Sequence, residues 1–238
     1  MRRPAGITLD SVFKHYATPQ GQIAAVDGVS LEVEPGSSLA ITGPSGCGKS
    51  TLLGLIAGLD RPSEGRVLVG GEEISNLSES ERAGLRRGEF GLVFQRDNLS
   101  PFLTAVENVA LQLALKGDDE GWERCLEVLA ELGLSSNTDR LPDRLSGGER
   151  QRIAIACALV KQPSVILADE PTGSLDAQNS ASVIELLIDM QRRAGTTLVV
   201  VTHDPEVAMH LDRNLSLRDG RVTAVPAGHR SLGRRADA

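Results

Sequence analysis

The stretch "GPSGCGKST", Gly43 to Thr51, constrains the fold of this chain more than any other feature. It fits the pattern G-x-x-x-x-G-K-[ST] of a P-loop, in which glycines let consecutive backbone N–H groups surround a phosphate. In this pattern Lys49 reaches the outer phosphates, and the hydroxyl of Ser50 is a ligand of Mg²⁺. A P-loop needs a strand before it and a helix after it, and segments 37–43 and 49–59 have those patterns. The sequence therefore predicts a site for a nucleoside triphosphate and Mg²⁺.

The remaining segments predict an α/β fold. Segments 163–170 and 196–204 are continuous apolar strands, and a helical pattern closed by Gly195 lies between them. Fully apolar strands that alternate with helices are typical of a parallel sheet that is covered on both faces. The first third of the chain consists instead of strands and turns, which predicts an N-terminal antiparallel β subdomain. The core is expected to be a P-loop (RecA-like) and mainly parallel sheet.

A helical insertion is predicted within this core. Between about 97 and 160, three segments show the 3.6-residue period of amphipathic helices, and no strand pattern separates them. We therefore expect a single domain over residues 1–226, with the β subdomain and P-loop core at 7–95 and 161–225. The small, polar tail at 227–238 is expected to be flexible.

Composition and charge argue against several classes of protein. The formal net charge is −7 at pH 7, and general nucleic-acid binding needs Lys and Arg in excess to neutralise phosphates. No apolar run approaches the ~20 residues that span a bilayer, and the first residues lack the apolar stretch of a secretory signal. Cys47, Cys125 and Cys157 show no metal-ligand spacing and are expected to be reduced, buried side chains. These features predict a soluble, cytoplasmic protein.

A strand that ends in two carboxylates, Asp169 and Glu170, is a second marker of nucleotide chemistry. The carboxyl edge of a parallel sheet is where open α/β folds bind ligands. Downstream of a P-loop, Asp169 is placed to hold Mg²⁺, and Glu170 is placed to act on the attacking water as base or orienter. His203 ends the next apolar strand and is expected near the γ-phosphate. The alternatives are a solvated pair of carboxylates and an ordinary surface histidine.

The segment "LSGGE", residues 145–149, predicts a second site for an anion. Ser146, Gly147 and Gly148 lie just ahead of an amphipathic helix. The free backbone N–H groups and the dipole at a helix N-terminus both favour negative charge. A chain with one P-loop would therefore have a second phosphate-binding segment at residues 146–148.

The order of these motifs resembles the ATP-binding subunits of ABC transporters. That order is Tyr16 in an early loop, the P-loop, Gln95 after a strand, LSGGE, "VILADE", "SLD" at 174–176 and His203, and the resemblance covers residues 7–225. No guanine-reading N-K-x-D stretch is present, which favours ATP over GTP. The resemblance implies that two subunits pair head to tail, with each ATP between the P-loop of one and the LSGGE segment of the other. Hydrolysis would then remove the γ-phosphate that holds the two halves together.

The resemblance also implies a role for each matching residue. Tyr16 would stack on adenine, although a partly exposed packing residue is the alternative, and Gln95 would touch Mg²⁺ and the attacking water. Ser174 stands where relatives favour Asn, which leaves open a detail of the contact across the dimer. The expected catalytic residues are Glu170, His203 and Gln95; the metal ligands are Ser50, Gln95 and Asp169; the residues acting in trans are Ser146, Gly147, Gly148 and Asp176; and the nucleotide-binding residues are Tyr16, Gly43, Pro44, Ser45, Gly46, Cys47, Gly48, Lys49, Ser50 and Thr51.

Within the family, the chain is most similar to the small stand-alone subunits of lipoprotein-releasing, macrolide-exporting and cell-division complexes. This implies a separate integral membrane permease subunit and a peripheral location on the cytoplasmic face of the inner membrane. The groove for that subunit is expected beside Gln95, at Asn98, Leu99, Phe102 and Leu103, with ordinary packing of the insertion as the alternative. Two other classes are less consistent with the chain. DNA-repair ATPases of this type insert long coiled coils, and translation-associated factors carry each motif twice. The cargo is not readable from the sequence.

Overall fold

The computed structural model describes residues 3–19, 21–95, 99–118, 121–173, 175 and 177–223, with the backbone alone at 177–179. The predicted flexible tail, Asn98, Ser174 and Asp176 therefore lie outside the described residues. No helix in the described part of the chain is both long enough and apolar enough to cross a membrane.

The described residues form ten strands and seven α-helices. In chain order the strands are β1 (Ile7–Thr18), β2 (Gly21–Val33), β3 (Ser38–Thr42), β4 (Glu64–Val69), β5 (Glu72–Glu73), β6 (Phe90–Phe94), β7 (Val165–Asp169), β8 (Thr197–Thr202), β9 (Arg213–Arg218) and β10 (Arg221–Thr223). The helices are α1 (Lys49–Ile56), α2 (Glu79–Gly88), α3 (Ala105–Ala114), α4 (Trp122–Glu131), α5 (Gly147–Leu159), α6 (Ala177–Ala194) and α7 (Pro205–Met209), and a 3₁₀ turn spans Pro142–Arg144.

The strands form two sheets. The larger sheet has the order β10-β9-β3-β8-β7-β6, and its strands run parallel except for β10. The smaller sheet, β2-β1-β4-β5, is antiparallel. Between β6 and β7 the described chain forms only helices and turns, including α3, α4 and α5. The predicted fold class, a mainly parallel sheet with an antiparallel β subdomain and a helical insertion, is confirmed.

Side chains from the larger sheet enter two hydrophobic clusters. On β3, Leu39 and Ile41 belong to the cluster shared with α1 and the antiparallel sheet, whereas Ala40 belongs to the cluster shared with α3, α5 and α6. Strands β7 and β8 alternate in the same way. Because successive side chains of a strand point to opposite faces, the sheet is covered on both faces, as the continuous apolar strands predict.

Three helices begin with the same local signal. Ser78, Thr104 and Ser146 each accept a hydrogen bond from the backbone N–H three residues later, and a glutamate at that position bonds back to the cap. Such a capping box satisfies two backbone donors at the helix start. In α2 the capping residue is Ser78.

The structure differs from the sequence-based expectations in several boundaries. Tyr16 lies on β1 and not in a loop, because β1 continues through bulges and stays paired with β2 as far as Thr18. Helix α1 ends at Ile56, three residues before the predicted end. The pattern analysis also did not predict β9, β10, α7 or the 3₁₀ turn.

Candidate active site

The carboxyl ends of four neighbouring parallel strands form one edge of the larger sheet. Thr42 on β3 lies opposite Thr202 on β8, and Asp169 on β7 lies opposite both Val201 on β8 and Phe94 on β6. The P-loop follows β3, and the residues predicted to act on the nucleotide follow β6, β7 and β8. This register therefore places the predicted site residues of the core along a single edge.

The P-loop connects β3 to the first turn of α1. Lys49 is buried, with 7% of its surface exposed, and its ammonium donates to the backbone oxygens of Gly43 at 2.8 Å and Pro44 at 3.0 Å. Ser50 and Thr51 follow in the first turn of the helix, where backbone N–H groups favour an anion. The loop thus brings a cation and a helix N-terminus to the same place.

Two glycines of the P-loop are required by close contacts. Gly43 has φ 154° and Gly48 has φ 103°, values that favour glycine. A Cβ atom at Gly43 would collide with the backbone oxygen of Leu217, and one at Gly48 would collide with that of Ala25. Between them Cys47 is buried, and its carbonyl accepts a hydrogen bond from Gly220 at 3.0 Å. The loop is therefore shaped by the segments packed beneath it.

Asp169 combines burial with an unsatisfied oxygen. Burial and the neighbouring Glu170 carboxylate raise the pKa of Asp169, while a hydrogen bond from Ser50 and the charge of Lys49 act in the opposite direction. Its Oδ1 atom is buried and has no hydrogen-bond partner among the described residues. Carboxylate and hydroxyl oxygens are ligands that suit Mg²⁺. Asp169 and Ser50 therefore fit the metal site that the sequence predicts.

Glu170 and His203 are in direct contact. His203 Nδ1 lies 2.8 Å from Glu170 Oε2, and the backbone N–H of His203 lies 3.4 Å from the same oxygen. Glu170 has a left-handed backbone with φ 48°, held by its N–H donating to the oxygen of Val201 at 2.8 Å and by Gly173 donating to its carbonyl at 3.0 Å. Its side chain is 17% exposed, whereas that of His203 is 64% exposed. The carboxylate is thus fixed, while the imidazole faces outward.

Gln95 follows β6 and lies against the turn after Glu170. A Cβ atom at Gly173 would come within 2.8 Å of Gln95 Nε2, so glycine is needed there for the side chain to approach. Sequence reasoning did not identify this role of Gly173. The sequence has 25 glycines, and no local pattern distinguishes this one from the others. The contact joins the start of the helical insertion to the turn that carries Glu170.

Tyr16 lies close to α1 although it belongs to the other sheet. The residue is 41% exposed, and its hydroxyl donates to Oδ2 of Asp60 at 2.9 Å. Burial and this carboxylate raise the pKa of Tyr16, and the side chain of Thr51 also interacts with the hydroxyl. The structure therefore brings Tyr16 to the P-loop helix. Sequence reasoning did not identify Asp60.

Ser146, Gly147 and Gly148 form the start of α5. The N–H of Ser146 donates to Glu149 Oε2 at 2.7 Å, and the Glu149 N–H lies 3.3 Å from Ser146 Oγ. Asn137 donates to the second oxygen of Glu149 at 2.8 Å, so Glu149 has a structural role in the motif. The Ser146 side chain is exposed at this helix N-terminus.

The two predicted phosphate-binding segments, the P-loop and Ser146–Gly148, belong to different parts of the chain. Helix α5 packs against the edge strand β6, where Gln151 donates to the Phe94 oxygen at 3.4 Å. The P-loop follows β3, which is separated from β6 by β8 and β7. The three strand spacings between β3 and β6 amount to about 14 Å. Each phosphate-binding segment is therefore positioned by its own element.

Comparison with known proteins agrees with the fold. The model of the family described as "ABC transporter" matches residues 26–173. The chain is similar to the ATP-binding cassette MJ0796 in a dimeric post-hydrolysis state bound to ADP and Pi, with 40% identity, a TM-score of 0.85 and coverage of 92% of this chain and 97% of that chain. A second dimeric structure of MJ0796, described as a bacterial ABC transporter cassette, has 41% identity with the same TM-score and coverage. This chain belongs to the ABC transporter family as an ATP-binding cassette, and it is an ATPase.

Proposed function

We propose that two copies of this chain pair head to tail and that each ATP, with Mg²⁺, is held between the P-loop of one copy and the Ser146–Gly148 segment of the other. The observation that carries this proposal is the separation of the two phosphate-binding segments by β8 and β7. Because the Ser146–Gly148 segment and the P-loop are held by different elements, pairing of two copies is expected to bring this segment to the phosphate bound by the other copy. The dimeric state of the MJ0796 cassettes supports the pairing of two copies.

Each residue of the sheet edge has a task in this proposal. Lys49 and the backbone of residues 43–51 bind the phosphates, and Ser50, Asp169 and Gln95 hold Mg²⁺, which would neutralise charge on the phosphates. Glu170 orients or deprotonates the attacking water, and His203 faces the γ-phosphate. Tyr16 stacks on adenine. Asp176, which lies outside the described residues, reaches across the dimer.

Closure of the dimer on ATP and its opening after hydrolysis would drive a separate membrane permease subunit, at the cytoplasmic face of the inner membrane. The helical insertion supports this task and not that of a DNA-repair ATPase, since α3, α4 and α5 have only 10, 10 and 13 residues. We infer export, lipoprotein release or envelope remodelling, as in the lipoprotein-releasing, macrolide-exporting and cell-division group.

The contact with the permease is proposed beside Gln95. Phe102 is 88% exposed, while Leu99 and Leu103 are partly buried. Leu99 also lines a cavity of about 400 Å³ between α2, β6, α3 and α5. Co-purification would test the contact: Phe102→Ser should lose the permease subunit and retain ATP binding.

The head-to-tail dimer is tested by turnover at decreasing protein concentration. If two chains share each site, the rate per chain falls as the protein is diluted below the dimer dissociation constant. A rate per chain that stays constant down to concentrations at which light scattering detects only monomers would contradict the proposal. Light scattering with and without ATP supplies the matching measurement of mass.

A further inference from the structure

Tyr16 belongs to a closed polar network next to the P-loop. Its hydroxyl donates to Oδ2 of Asp60 at 2.9 Å, and the ammonium of Lys14 donates to Oδ1 of the same carboxylate at 2.7 Å. The backbone of Arg61 completes the network, since its N–H donates to Asp60 Oδ1 at 2.7 Å and its oxygen accepts from Lys14 at 2.8 Å. Both oxygens of Asp60 are therefore engaged.

Lys14 also lies over the aromatic ring. Its Nζ atom is 5.0 Å from the centre of the Tyr16 ring, within the range of a cation–π contact. The Lys14 side chain is only 13% exposed, whereas Tyr16 is 41% exposed. The ammonium therefore covers part of the ring, and the remaining surface of the ring is open to a ligand.

The network ties the ring to the helix that carries the P-loop. Asp60 follows α1 closely, and its N–H lies 3.4 Å from the oxygen of Gly54 within that helix. Thr51, in the first turn of α1, interacts with the Tyr16 hydroxyl. The position of the ring is thus set from the same helix that receives the phosphates, although Tyr16 itself lies on β1.

We propose that Asp60 and Lys14 are positioning residues that hold the Tyr16 ring ready for the adenine base. This inference rests on the proposed stacking role of Tyr16. Stacking of a base on an aromatic side chain is favourable, but immobilising a free side chain on binding costs free energy. A ring that is fixed at its hydroxyl by Asp60 and at its face by Lys14 avoids much of that cost.

The test compares ATP with tripolyphosphate, which has the phosphates and no base. Calorimetry would measure both affinities for Asp60→Ala, Lys14→Met and Tyr16→Phe, with Tyr16→Ala to measure stacking. We expect Asp60→Ala and Tyr16→Phe to weaken ATP binding about threefold to tenfold and to leave tripolyphosphate binding unchanged. The Asp60→Ala, Tyr16→Phe double variant should bind ATP no more weakly than Asp60→Ala alone, because the Tyr16 hydroxyl acts through the Asp60 carboxylate.

If Asp60 and Lys14 acted only through their charges, the affinities of the variants would change in a different pattern. Loss of the Asp60 carboxylate alone would strengthen binding of both anions, and loss of the Lys14 ammonium alone would weaken both. The proposal instead expects both variants to weaken ATP selectively. Asp10→Ala is the matched control, because it removes an exposed carboxylate of the same sheet that pairs with Arg66 at 2.6 Å.

Each outcome is decisive. Unchanged ATP affinity in Tyr16→Ala would overturn the stacking role and this inference with it. Weakened ATP binding in Tyr16→Ala, but wild-type affinity in Asp60→Ala and Tyr16→Phe, would overturn the inference alone. Thermal unfolding verifies that each variant is folded, and Lys14→Met, which keeps the side-chain stem, decides the question if Asp60→Ala does not fold.

Discussion

The imidazole of His203 and the carboxylate of Glu170 are joined by a contact of 2.8 Å although the residues are 33 positions apart. The contact arises because β7 and β8 are parallel neighbours whose ends coincide. When Nδ1 of His203 donates a hydrogen to this carboxylate, Nε2 remains for another partner. The pair therefore fixes Glu170 and presents a ring nitrogen at the sheet edge.

Glu170→Gln is expected to trap ATP in a stable dimer. The amide keeps the size of the side chain but cannot activate water, so both phosphate-binding segments survive while hydrolysis stops. Size-exclusion chromatography with ATP and Mg²⁺ should show the mass of a dimer. Glu206→Gln, an exposed carboxylate in the first turn of α7, is the control and should behave as wild type. A Glu170→Gln variant that stays monomeric at high ATP would count against the shared site.

The local parts of the fold could be predicted from the sequence. Patterns of a few adjacent residues are enough to predict the P-loop, the strand that ends in Asp169 and the capping residue Ser146. Strands β9 and β10 were not predicted, although the buried Leu215 and Leu217 alternate with less buried residues on β9. Short strands with charged flanking residues give a weak pattern, and it is pairing with β3 that fixes β9, which in turn pairs with β10.

The contacts within the site depend on tertiary register and could not be predicted in the same way. Sequence reasoning placed His203 near the pocket, but its bond to Glu170 follows from the exact alignment of two strands. The bond between Tyr16 and Asp60 likewise requires that the antiparallel sheet pack beside α1. No local pattern in a single sequence encodes such distances between separate segments.

Lys49→Ala is expected to reduce ATP affinity by about 100-fold or more, because charge-assisted contacts to the phosphates are lost. The oxygens of Gly43 and Pro44 already hold the Lys49 ammonium at the P-loop. The side chain therefore needs little reorganisation when ATP binds. Calorimetry with ATP measures the loss, and thermal unfolding without nucleotide reports whether the loop still folds. Retained affinity in a folded variant would show that the pocket lies elsewhere.

Lys161→Met should change how stability depends on pH. Lys161 is 7% exposed and donates to the Arg86 oxygen at 3.2 Å, and burial with the nearby Lys116 lowers its pKa to about 8 from 10.5. The unfolded chain then binds more protons between pH 8 and pH 10.5, so this group makes the folded protein more stable as pH rises through that window. The effect is at most about 3 kcal/mol.

Chemical unfolding at pH 7.5 and pH 10 measures this effect as the difference between wild type and variant, since other titrating groups are common to both. We expect Lys161→Met to be more stable than wild type at pH 7.5, and we expect this difference in stability to be much smaller at pH 10. An equal slope in both proteins would show that the Lys161 ammonium is not penalised by burial.

Ser146→Asp and Ser146→Asn separate the structural role of this position from its proposed role in trans. Both residues are good N-caps, so each should preserve the start of α5 that Ser146 now forms with Glu149. Only Asp adds a negative charge where the γ-phosphate of the partner's ATP is proposed to lie. Ser146→Asp should therefore lose about 100-fold in ATPase turnover, a loss comparable to removing one donor to a transition state, while Ser146→Asn loses less. ATP affinity of the monomer should stay unchanged in both, because the P-loop is intact. If Ser146→Asp hydrolysed ATP as fast as Ser146→Asn, the Ser146–Gly148 segment would have no contact with phosphate. The separation of α5 from the P-loop would then need another explanation.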